Sequence, residues 1–409
     1  MKTYILKNSR GIITPRSDVP YGELDIREKI SIAFNAECIL DIDLVDKLIQ
    51  KYPDHTSVDA SNCWALPGYV DPHTHPVFYK TREEEFEMRI AGKSYEEIAA
   101  GGGGIRNSVR AFRQASVDEL TELTCKRIME FLTCGTTTIE AKSGYGLSLA
   151  DELKSLRILK KAGEILPISI VPTFLGAHEV PDEYQNRREA YIDLIIHEMI
   201  PAVADENLAE FCDVFTEKDV FSIEESEKIL TAAREHGLGL KLHADELTPL
   251  GGAELAARMR AVSADHLLMI SDAGISALKE KGVIPVLLPG TAFFLGKKNY
   301  APARKMIEAG LNVALASDYN PGSSFTQNMN LILSIACIHM KMTPAETLYA
   351  ATLASSRSIR RDRMAGSLEV GKKADITLMD IPNVQYIPYH YGMNHVKTVI
   401  RHGKIAYQM

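Results

Sequence analysis

The chain has 409 residues, of which 46 are basic and 54 acidic, so its formal net charge at pH 7 is −8. Apolar residues make up 45% and charged residues 24%, which is typical of a folded globular protein. This composition excludes a disordered, collagen-like or disulfide-stapled chain, and the acidic balance argues against nucleic acid or an anionic membrane as the main partner.

The cysteine pattern and the N-terminus indicate the cellular compartment of the protein. No two of the six cysteines are spaced as a C-x-x-C pair, which favours a reduced, cytoplasmic protein over a zinc ribbon or a redox dithiol. The N-terminus has no apolar signal-peptide core, and the most apolar runs are too short to span a bilayer. We therefore expect a cytoplasmic protein without a membrane segment.

The two ends of the chain are β-rich. Four strand-like pieces lie there: Thr3–Leu6, Ser57–Val58, Asp375–Met379 and Val396–Ile400. A helical-looking segment, Asp43–Lys51, lies among them. Because neither end is long enough for a domain of its own, we expect residues 1–67 and 360–409 to form one composite β domain.

Residues 68–359 alternate between short apolar, β-branched runs and helical stretches. The eight runs are Gly68–His75, Thr136–Lys142, Ile168–His178, Phe211–Glu217, Leu238–Glu246, Ser263–Leu267, Val283–Pro289 and Val313–Asp318. Near-continuous apolar strands joined by helices predict a parallel sheet covered on both faces. Eight such units favour an α/β fold with a closed (β/α)₈ TIM barrel, and a doubly wound open sheet is the alternative.

Helix signals occur between these strands. Ser116 and Ser222 are each followed three residues later by glutamate, which is the spacing of a capping box. Gly135, Gly163 and Gly237 stand where glycines commonly end helices.

Two histidines, His73 and His75, end the first predicted strand. Alternate side chains of a strand point the same way, so the two imidazoles can share one metal ion. By itself this spacing is a weak signal, and two polar residues at a strand end are the alternative. The position favours a metal site because active sites of barrels lie at the carboxyl ends of their strands.

Further residues of ligand type lie at the ends of three other predicted strands. His243 and Glu246 lie at the end of the fifth strand, His266 at the end of the sixth and Asp318 at the end of the eighth. Each residue alone also fits a structural role, such as a buried histidine bonded to the backbone or an aspartate that caps the next helix. So many of them at the carboxyl ends of the barrel strands indicate a common site. Imidazoles with one carboxylate suit Zn²⁺ or Fe²⁺ better than Mg²⁺ or Ca²⁺. Glu246 is the carboxylate best placed to move the proton of a metal-activated water.

A second metal ion would need a bridging anion, such as a carboxylated lysine from the fourth strand. That strand ends at Glu217, with Lys218 one residue further on, whereas Lys142 ends the second strand. We therefore expect one divalent ion per subunit.

Several runs of sequence are distinctive. They are PGYVDPHTH at 67–75, GKSYEEI at 92–98, GGGI at 102–105, EAKSGYGL at 140–147, PTFLGAHEVP at 172–181, KLHADE at 241–246, SADHL at 263–267, LLPG at 287–290, SDYNPGS at 317–323 and GSLEVGKKAD at 366–375. The first and last of these resemble the amidohydrolase superfamily as a whole. The others resemble its imidazolonepropionase family.

This resemblance implies a TIM barrel with a small β-sandwich built from both chain ends, and a homodimer. It implies hydrolysis of the lactam C–N bond of 4-imidazolone-5-propanoate, giving N-formimidoyl-L-glutamate in histidine degradation. The implied metal ligands are His73, His75, His243 and Asp318. The implied substrate contacts are Arg82, Tyr95, Tyr145, His178, Glu246, Asn320, Gly322 and Ser323. Glu246 is also the implied general base, and His266 is placed beside the reacting carbonyl.

The residues themselves leave alternatives open. The planar guanidinium of Arg82 suits a carboxylate, but Arg82 also fits a surface residue paired with Glu83–Glu85. For Tyr145 and His178 the residues alone favour packed core positions with a satisfied polar tip over substrate contacts. Asn320 fits the start of a turn, and Ser323 fits a helix cap.

Two other functions remain open at this point. One is a one-metal aminohydrolase or deaminase acting on a nucleobase-like or other cyclic amide or amidine ring. The other is a scaffold protein that has lost its metal, against which the complete ligand set and Glu246 argue. The expected partner is a small anionic substrate, neither nucleic acid nor membrane.

Overall fold

The computed structural model describes residues 2–93, 97 and 103–409. Its strands, numbered in chain order, are β1 Tyr4–Lys7, β2 Gly11–Thr14, β3 Asp25–Glu28, β4 Ile30–Phe34, β5 Ile39–Leu44, β6 Thr56–Asp59, β7 Trp64–Pro67, β8 Tyr69–Thr74, β9 Thr136–Lys142, β10 Ser169–Ala177, β11 Phe211–Thr216, β12 Gly239–Ala244, β13 Ser263–His266, β14 Ile284–Leu287, β15 Ala314–Leu315, β16 Ile376–Met379, β17 Val396–Arg401 and β18 Lys404–Gln408.

Helices connect most of these strands. The α-helices are Val45–Lys51, Glu83–Ile90, Ile105–Gln114, Val117–Thr133, Leu149–Ile165, Arg188–Leu194, Ile200–Asp205, Ile223–Glu235, Gly252–Arg258, Asp272–Lys281, Pro289–Phe294, Ala303–Glu308, Met329–Met340, Pro344–Tyr349, Ser355–Arg357 and Tyr386–Tyr389. Two π-helical segments, Ile195–Met199 and Ala350–Ala354, continue the helices that precede them.

Strands β8 to β15 form one parallel sheet in strict chain order, and each corresponds to one of the eight predicted runs. Its two edge strands meet at their carboxyl ends. There the Asp318 amide donates to the His73 carbonyl at 3.1 Å, and the His75 amide donates to the Tyr319 carbonyl at 2.8 Å. These bonds close the sheet, so the prediction of a TIM barrel is confirmed and the open-sheet alternative is wrong.

Several strands end earlier than the sequence pattern suggests. The fifth barrel strand was expected to run to Glu246 but ends at Ala244, because Asp245 adopts a left-handed backbone with φ of +49°. The sixth was expected to run to Leu267 but ends at His266, where the backbone becomes left-handed, with φ of +78° at His266 and +61° at Leu267. The chain therefore turns sharply at the rim, which directs side chains across the mouth of the barrel.

The predicted capping boxes are both present, at Ser116 and Ser222. Gly135 and Gly237 end their helices in the left-handed conformation, with φ of +90° and +82°. The expectation for Gly163 is wrong, because this residue lies inside the helix Leu149–Ile165. That helix ends at Ile165, two residues before Pro167, because the proline favours an extended backbone at the residue that precedes it, Leu166.

The chain ends form two further sheets, with strand orders β5-β4-β1-β6 and β18-β17-β16-β7-β2-β3. In the larger sheet β16, from the C-terminal segment, pairs with β7, from the N-terminal segment. The two sheets share one apolar cluster, in which Leu6 and Ile32 of one sheet pack with Ile12 and Ile376 of the other. This arrangement confirms the predicted β-sandwich, and Val45–Lys51 is the predicted helix within it.

The boundaries of the composite domain, residues 1–67 with 360–409, and of the barrel, residues 68–359, stay a prediction. Across the described ranges, we find no helix that is both long and apolar enough to cross a membrane.

Candidate active site

Four buried side chains meet at the rim where the barrel closes. The ring of His73 lies 4.4 Å from that of His243 and 5.3 Å from that of His266, measured between centroids. Asp318 follows β15 and has a left-handed backbone with φ of +53°, a conformation that turns its carboxylate toward the histidines. All four side chains are at most 3% exposed.

The predicted ligands form a compact donor set. The Nε2 atoms of His73 and His75 lie 3.2 Å apart, and Oδ1 of Asp318 is 3.6 and 3.5 Å from them. His73, His75 and His243 each offer a ligand atom within 4.8 Å of the others. Burial lowers the pKa of His73 and of His75 well below the ordinary value, so both rings are neutral, as metal ligands must be. This set fits a divalent metal ion.

Two carboxylates behind the histidines fix the orientation of the rings. Nδ1 of His73 donates to Oδ2 of Asp265 at 2.6 Å, and Nδ1 of His243 donates to Oδ1 of Asp213 at 3.1 Å. Each imidazole therefore keeps its lone pair on Nε2, which faces the donor set. Sequence reasoning assigned no role to either aspartate. The only signal for Asp213 is an acidic residue within the otherwise apolar strand β11.

A lysine lies directly beneath these carboxylates, inside the barrel. Nζ of Lys142 is 2.7 Å from Oε1 of Glu140, 2.7 Å from Oδ2 of Asp213 and 3.9 Å from Oδ2 of Asp265. Burial alone would lower the pKa of Lys142, but the surrounding carboxylates outweigh it and raise that pKa above its ordinary value. Lys142 is therefore a buried cation within an acidic cluster, away from the position of a metal-bridging residue.

Glu246 and His266 face each other beside the donor set. Oε2 of Glu246 lies 3.6 Å from Nδ1 of His266, and both ring nitrogens of His266 are buried without a hydrogen-bond partner among the described residues. Burial, reinforced by the nearby charge of Glu217, raises the pKa of Glu246 to about 7. A carboxyl group with that pKa can both accept and return a proton near neutral pH.

The rim encloses a cavity of about 440 Å³, a volume typical of sites for small molecules. The predicted substrate contacts that line it are Arg82, Tyr145, His178, Glu246, Asn320, Gly322 and Ser323. Tyr95, which was also predicted, lies outside the described residues.

Arg82 lines the cavity and also makes the pairing with Glu85 that its alternative predicted, but its side chain is only 9% exposed, so it is not a surface residue. Its Nε and Nη2 donate to Oε2 of Glu85 at 2.9 and 2.5 Å. Glu85 in turn accepts from the Gly104 amide at 3.0 Å, which ties the pair to the start of a helix. The remaining nitrogen, Nη1, lies over Gly322, where an added Cβ would be only 2.2 Å away. Gly322 therefore makes room for the guanidinium.

Three of the predicted contacts have defined local roles. His178 donates from Nδ1 to the Gly144 carbonyl at 2.9 Å and stacks on His75 with ring centroids 5.3 Å apart. Oδ1 of Asn320 accepts from the amides of Gly322 and Ser323, both at 2.8 Å, so Asn320 forms the turn that was its alternative. Ser323 lies in that turn and does not cap a helix.

Sequence reasoning missed two cations of the cavity, Arg89 and Lys297. Nη1 of Arg89 donates to the Gly322 carbonyl at 2.8 Å, and its guanidinium lies 5.2 Å from the ring of Phe294. Lys297 lies close enough to Glu246 to oppose the rise in the pKa of that residue. In the sequence neither stands out from the other basic residues, because only the folded chain brings them to the cavity.

Comparison with known proteins places the chain in context. Residues 102–407 match the model of the Amidohydrolase family. The imidazolonepropionase of Symbiobacterium thermophilum is 50% identical over 388 residues, which cover 95% of this chain and 90% of that protein. The imidazolonepropionase of Geobacillus sp. (strain WCH70) is 46% identical over 417 residues, covering 99% of this chain and 98% of its own.

Solved structures share the fold at low sequence identity. Guanine deaminase of E. coli superposes with a TM-score of 0.78 at 15% identity, with full coverage of both chains. A triazine hydrolase variant has the same TM-score and identity, with coverage of 100% of this chain and 95% of its own.

Replacing Gly322 with alanine tests the packing of Arg82. We expect Gly322→Ala to displace the guanidinium from Glu85 and to lower the free energy of unfolding by about 1–3 kcal/mol through overpacking. Crystal structures and denaturant unfolding of the variant measure both effects.

Gly163→Ala is the matched control. A Cβ at position 163 would approach only Ile170, at 3.8 Å, from an exposed site inside a helix. There alanine should raise the free energy of unfolding by about 0.5–1 kcal/mol. An unmoved Arg82 and unchanged stability in Gly322→Ala would contradict the proposed close packing.

Proposed function

Because the chain belongs to the amidohydrolase family, we propose that it acts as an imidazolonepropionase. In this role it hydrolyses the lactam C–N bond of 4-imidazolone-5-propanoate to N-formimidoyl-L-glutamate, a step of histidine degradation. The observation that carries the proposal is that one cavity presents a histidine–carboxylate donor set together with the guanidinium of Arg82. The 50% identity to an imidazolonepropionase over nearly the whole chain supports it.

We propose that one Zn²⁺ or Fe²⁺ ion is held by His73, His75, His243 and Asp318. When bound, such an ion supplies a Lewis acid that polarises an oxygen and makes water ionise near neutral pH. A single ion is supported by Lys142, whose ammonium already neutralises the neighbouring acidic group formed with Asp213 and Asp265.

Glu246 is proposed as the general base. Its carboxylate takes a proton from the attacking water, which adds to the ring carbonyl carbon, and then delivers that proton to the leaving ring nitrogen. The C–N bond breaks as the new C–O bond becomes part of a carboxylate. The pKa of about 7 for Glu246 supports both transfers. His266, neutral and without a hydrogen-bond partner in the described part of the chain, is proposed to donate to the carbonyl oxygen.

Arg82 is proposed to bind the propionate group of the substrate, with Glu85 holding its guanidinium in place. Tyr145, His178, Asn320, Gly322 and Ser323, which line the same cavity, are proposed as further substrate contacts, and so is Tyr95. We also propose that the protein is a cytoplasmic homodimer, as expected from the sequence.

A substrate comparison tests the proposed reaction. The purified, metal-loaded protein should consume 4-imidazolone-5-propanoate, and the loss of the substrate's ultraviolet absorbance measures this reaction. The same protein should release no ammonia from guanine, adenine or cytosine. Ammonia release from a nucleobase without turnover of the imidazolone would instead support the deaminase alternative. A protein that binds no metal and has neither activity would support the scaffold alternative.

The variant Glu246→Gln tests the general base. An amide cannot accept the proton, so kcat should fall by about 10²- to 10⁴-fold while the metal content stays unchanged. In the wild type, activity should decline as the pH is lowered through about 7, because Glu246 becomes protonated. The variant should lose this acid limb.

Glu235→Gln, at an exposed site that ends the helix Ile223–Glu235, is the matched control and should keep wild-type kinetics. Near-native turnover of metal-loaded Glu246→Gln would show that Glu246 is not the base.

A further inference from the structure

A cluster of charged residues is completely enclosed in the barrel below the active site. The members of this buried charge cluster are Glu140, Lys142, Asp213, Lys241 and Asp265, and each has 0% exposure. Charges with no access to water are stable only when they are paired, so their arrangement constrains the side chains tightly. The proposed reaction uses none of these five residues directly.

Lys142 links the two aspartates that orient metal-binding histidines. Its ammonium is 2.7 Å from Oδ2 of Asp213, whose other oxygen accepts from His243. The same ammonium is 3.9 Å from Oδ2 of Asp265, the oxygen that accepts from His73. One buried cation therefore stands behind two separate carboxylate–imidazole pairs.

The ammonium also fills a place that suits a metal cation. His73, Asp213 and Asp265 offer ligand atoms within 4.8 Å of one another, as do the three proposed histidine ligands, His73, His75 and His243. Lys142 reaches this acidic group from β9 and is further held by Glu140 at 2.7 Å. Without the lysine, Asp213 would lose the ammonium that pairs with it at 2.7 Å, whereas Asp265 would keep Lys241 at 3.6 Å. A buried carboxylate that loses its cation reorients or takes up a proton.

We propose that Lys142 is a positioning residue of the active site, which fixes Asp213 and Asp265 and through them directs Nε2 of His243 and His73 at the metal. This inference rests on the metal site of the proposed function. It assigns Lys142 a role in metal affinity that is separate from binding the substrate, because within the described ranges no hydrogen bond or ion pair joins the lysine to Arg82 or Glu85.

Lys241 provides a matched control. It is equally buried and lies on β12, between the strands of Asp213 and Asp265. Its ammonium donates to the hydroxyl of Ser263 at 2.7 Å and lies 3.6 Å from Asp265. Lys241 pairs in register with Asp213 across β12 and β11, but among the described residues its ammonium forms no hydrogen bond or ion pair with the Asp213 carboxylate. Lys142→Met and Lys241→Met therefore remove the same charge from the same interior, and only the first removes the link between the two aspartates.

The first measurement is zinc affinity of the metal-free proteins by competition with a chromophoric chelator. Lys142→Met should bind zinc about 10- to 100-fold more weakly than the wild type, and Lys241→Met within about 3-fold of it. With saturating zinc, kcat of Lys142→Met should fall while KM changes less than about 3-fold. The visible spectrum of the cobalt-substituted variant should also change, since that spectrum reports ligand geometry.

A double-mutant cycle keeps the test decisive if Lys142→Met alone folds poorly. Lys142→Met combined with Asp213→Asn removes a positive and a negative charge together and so restores the charge balance. Because Lys142 acts through Asp213, the loss of zinc affinity in the double variant should be clearly smaller than the two single losses combined, with Asp213→Asn alone as the reference. Where Lys142→Met cannot be isolated, the double variant should match Asp213→Asn within about 3-fold.

Wild-type zinc affinity and cobalt spectrum in Lys142→Met, with only its thermal stability lowered, would show a purely structural role and overturn the inference. Independent, fully additive losses would also overturn it. A wild-type protein that binds no zinc would instead refute the proposed metal site itself.

Discussion

The hydrogen bond from His73 to Asp265 is the interaction on which the rest of the site depends. At 2.6 Å, and with both partners fully buried, it fixes the ring and leaves Nε2 free to bind a metal. The backbone of His73 also accepts the bond from Asp318 that helps to close the barrel. Closure of the fold and assembly of the donor set therefore depend on the same few residues, so the ligands meet only when the barrel is complete.

The distribution of charge explains how an acidic protein can bind an anion. The net charge of −8 belongs to the whole chain, whereas the cavity brings together Arg82, Arg89 and Lys297. Glu85 orients Arg82, and Gly322 lets its guanidinium pack against the turn after Asp318. Attraction of a carboxylate is thus local, and the acidic exterior does not oppose it strongly because surface charges are screened by solvent and salt.

The sequence predicted the features that depend on local pattern. Eight apolar runs predicted the barrel strands, and alternation along a strand predicted that His73 and His75 share a face. Features that depend on contacts between distant residues escaped prediction. Asp213, Lys142 and Arg89 acquire their partners only in the folded chain, and the left-handed turns at Asp245 and His266 leave no mark in the sequence, since neither residue is glycine. Such backbone conformations cost about 1–3 kcal/mol each and are sustained by the surrounding fold.

Anomalous diffraction from crystals of the zinc-loaded protein tests the central claim most directly. The anomalous map should show one zinc peak per chain at the rim of the barrel. The peak should lie about 2.0–2.1 Å from Nε2 of His73, His75 and His243, with Asp318 as the fourth protein ligand. A second peak among Asp213 and Asp265, or zinc bound through Nδ1 of His73 in place of its bond to Asp265, would contradict the account.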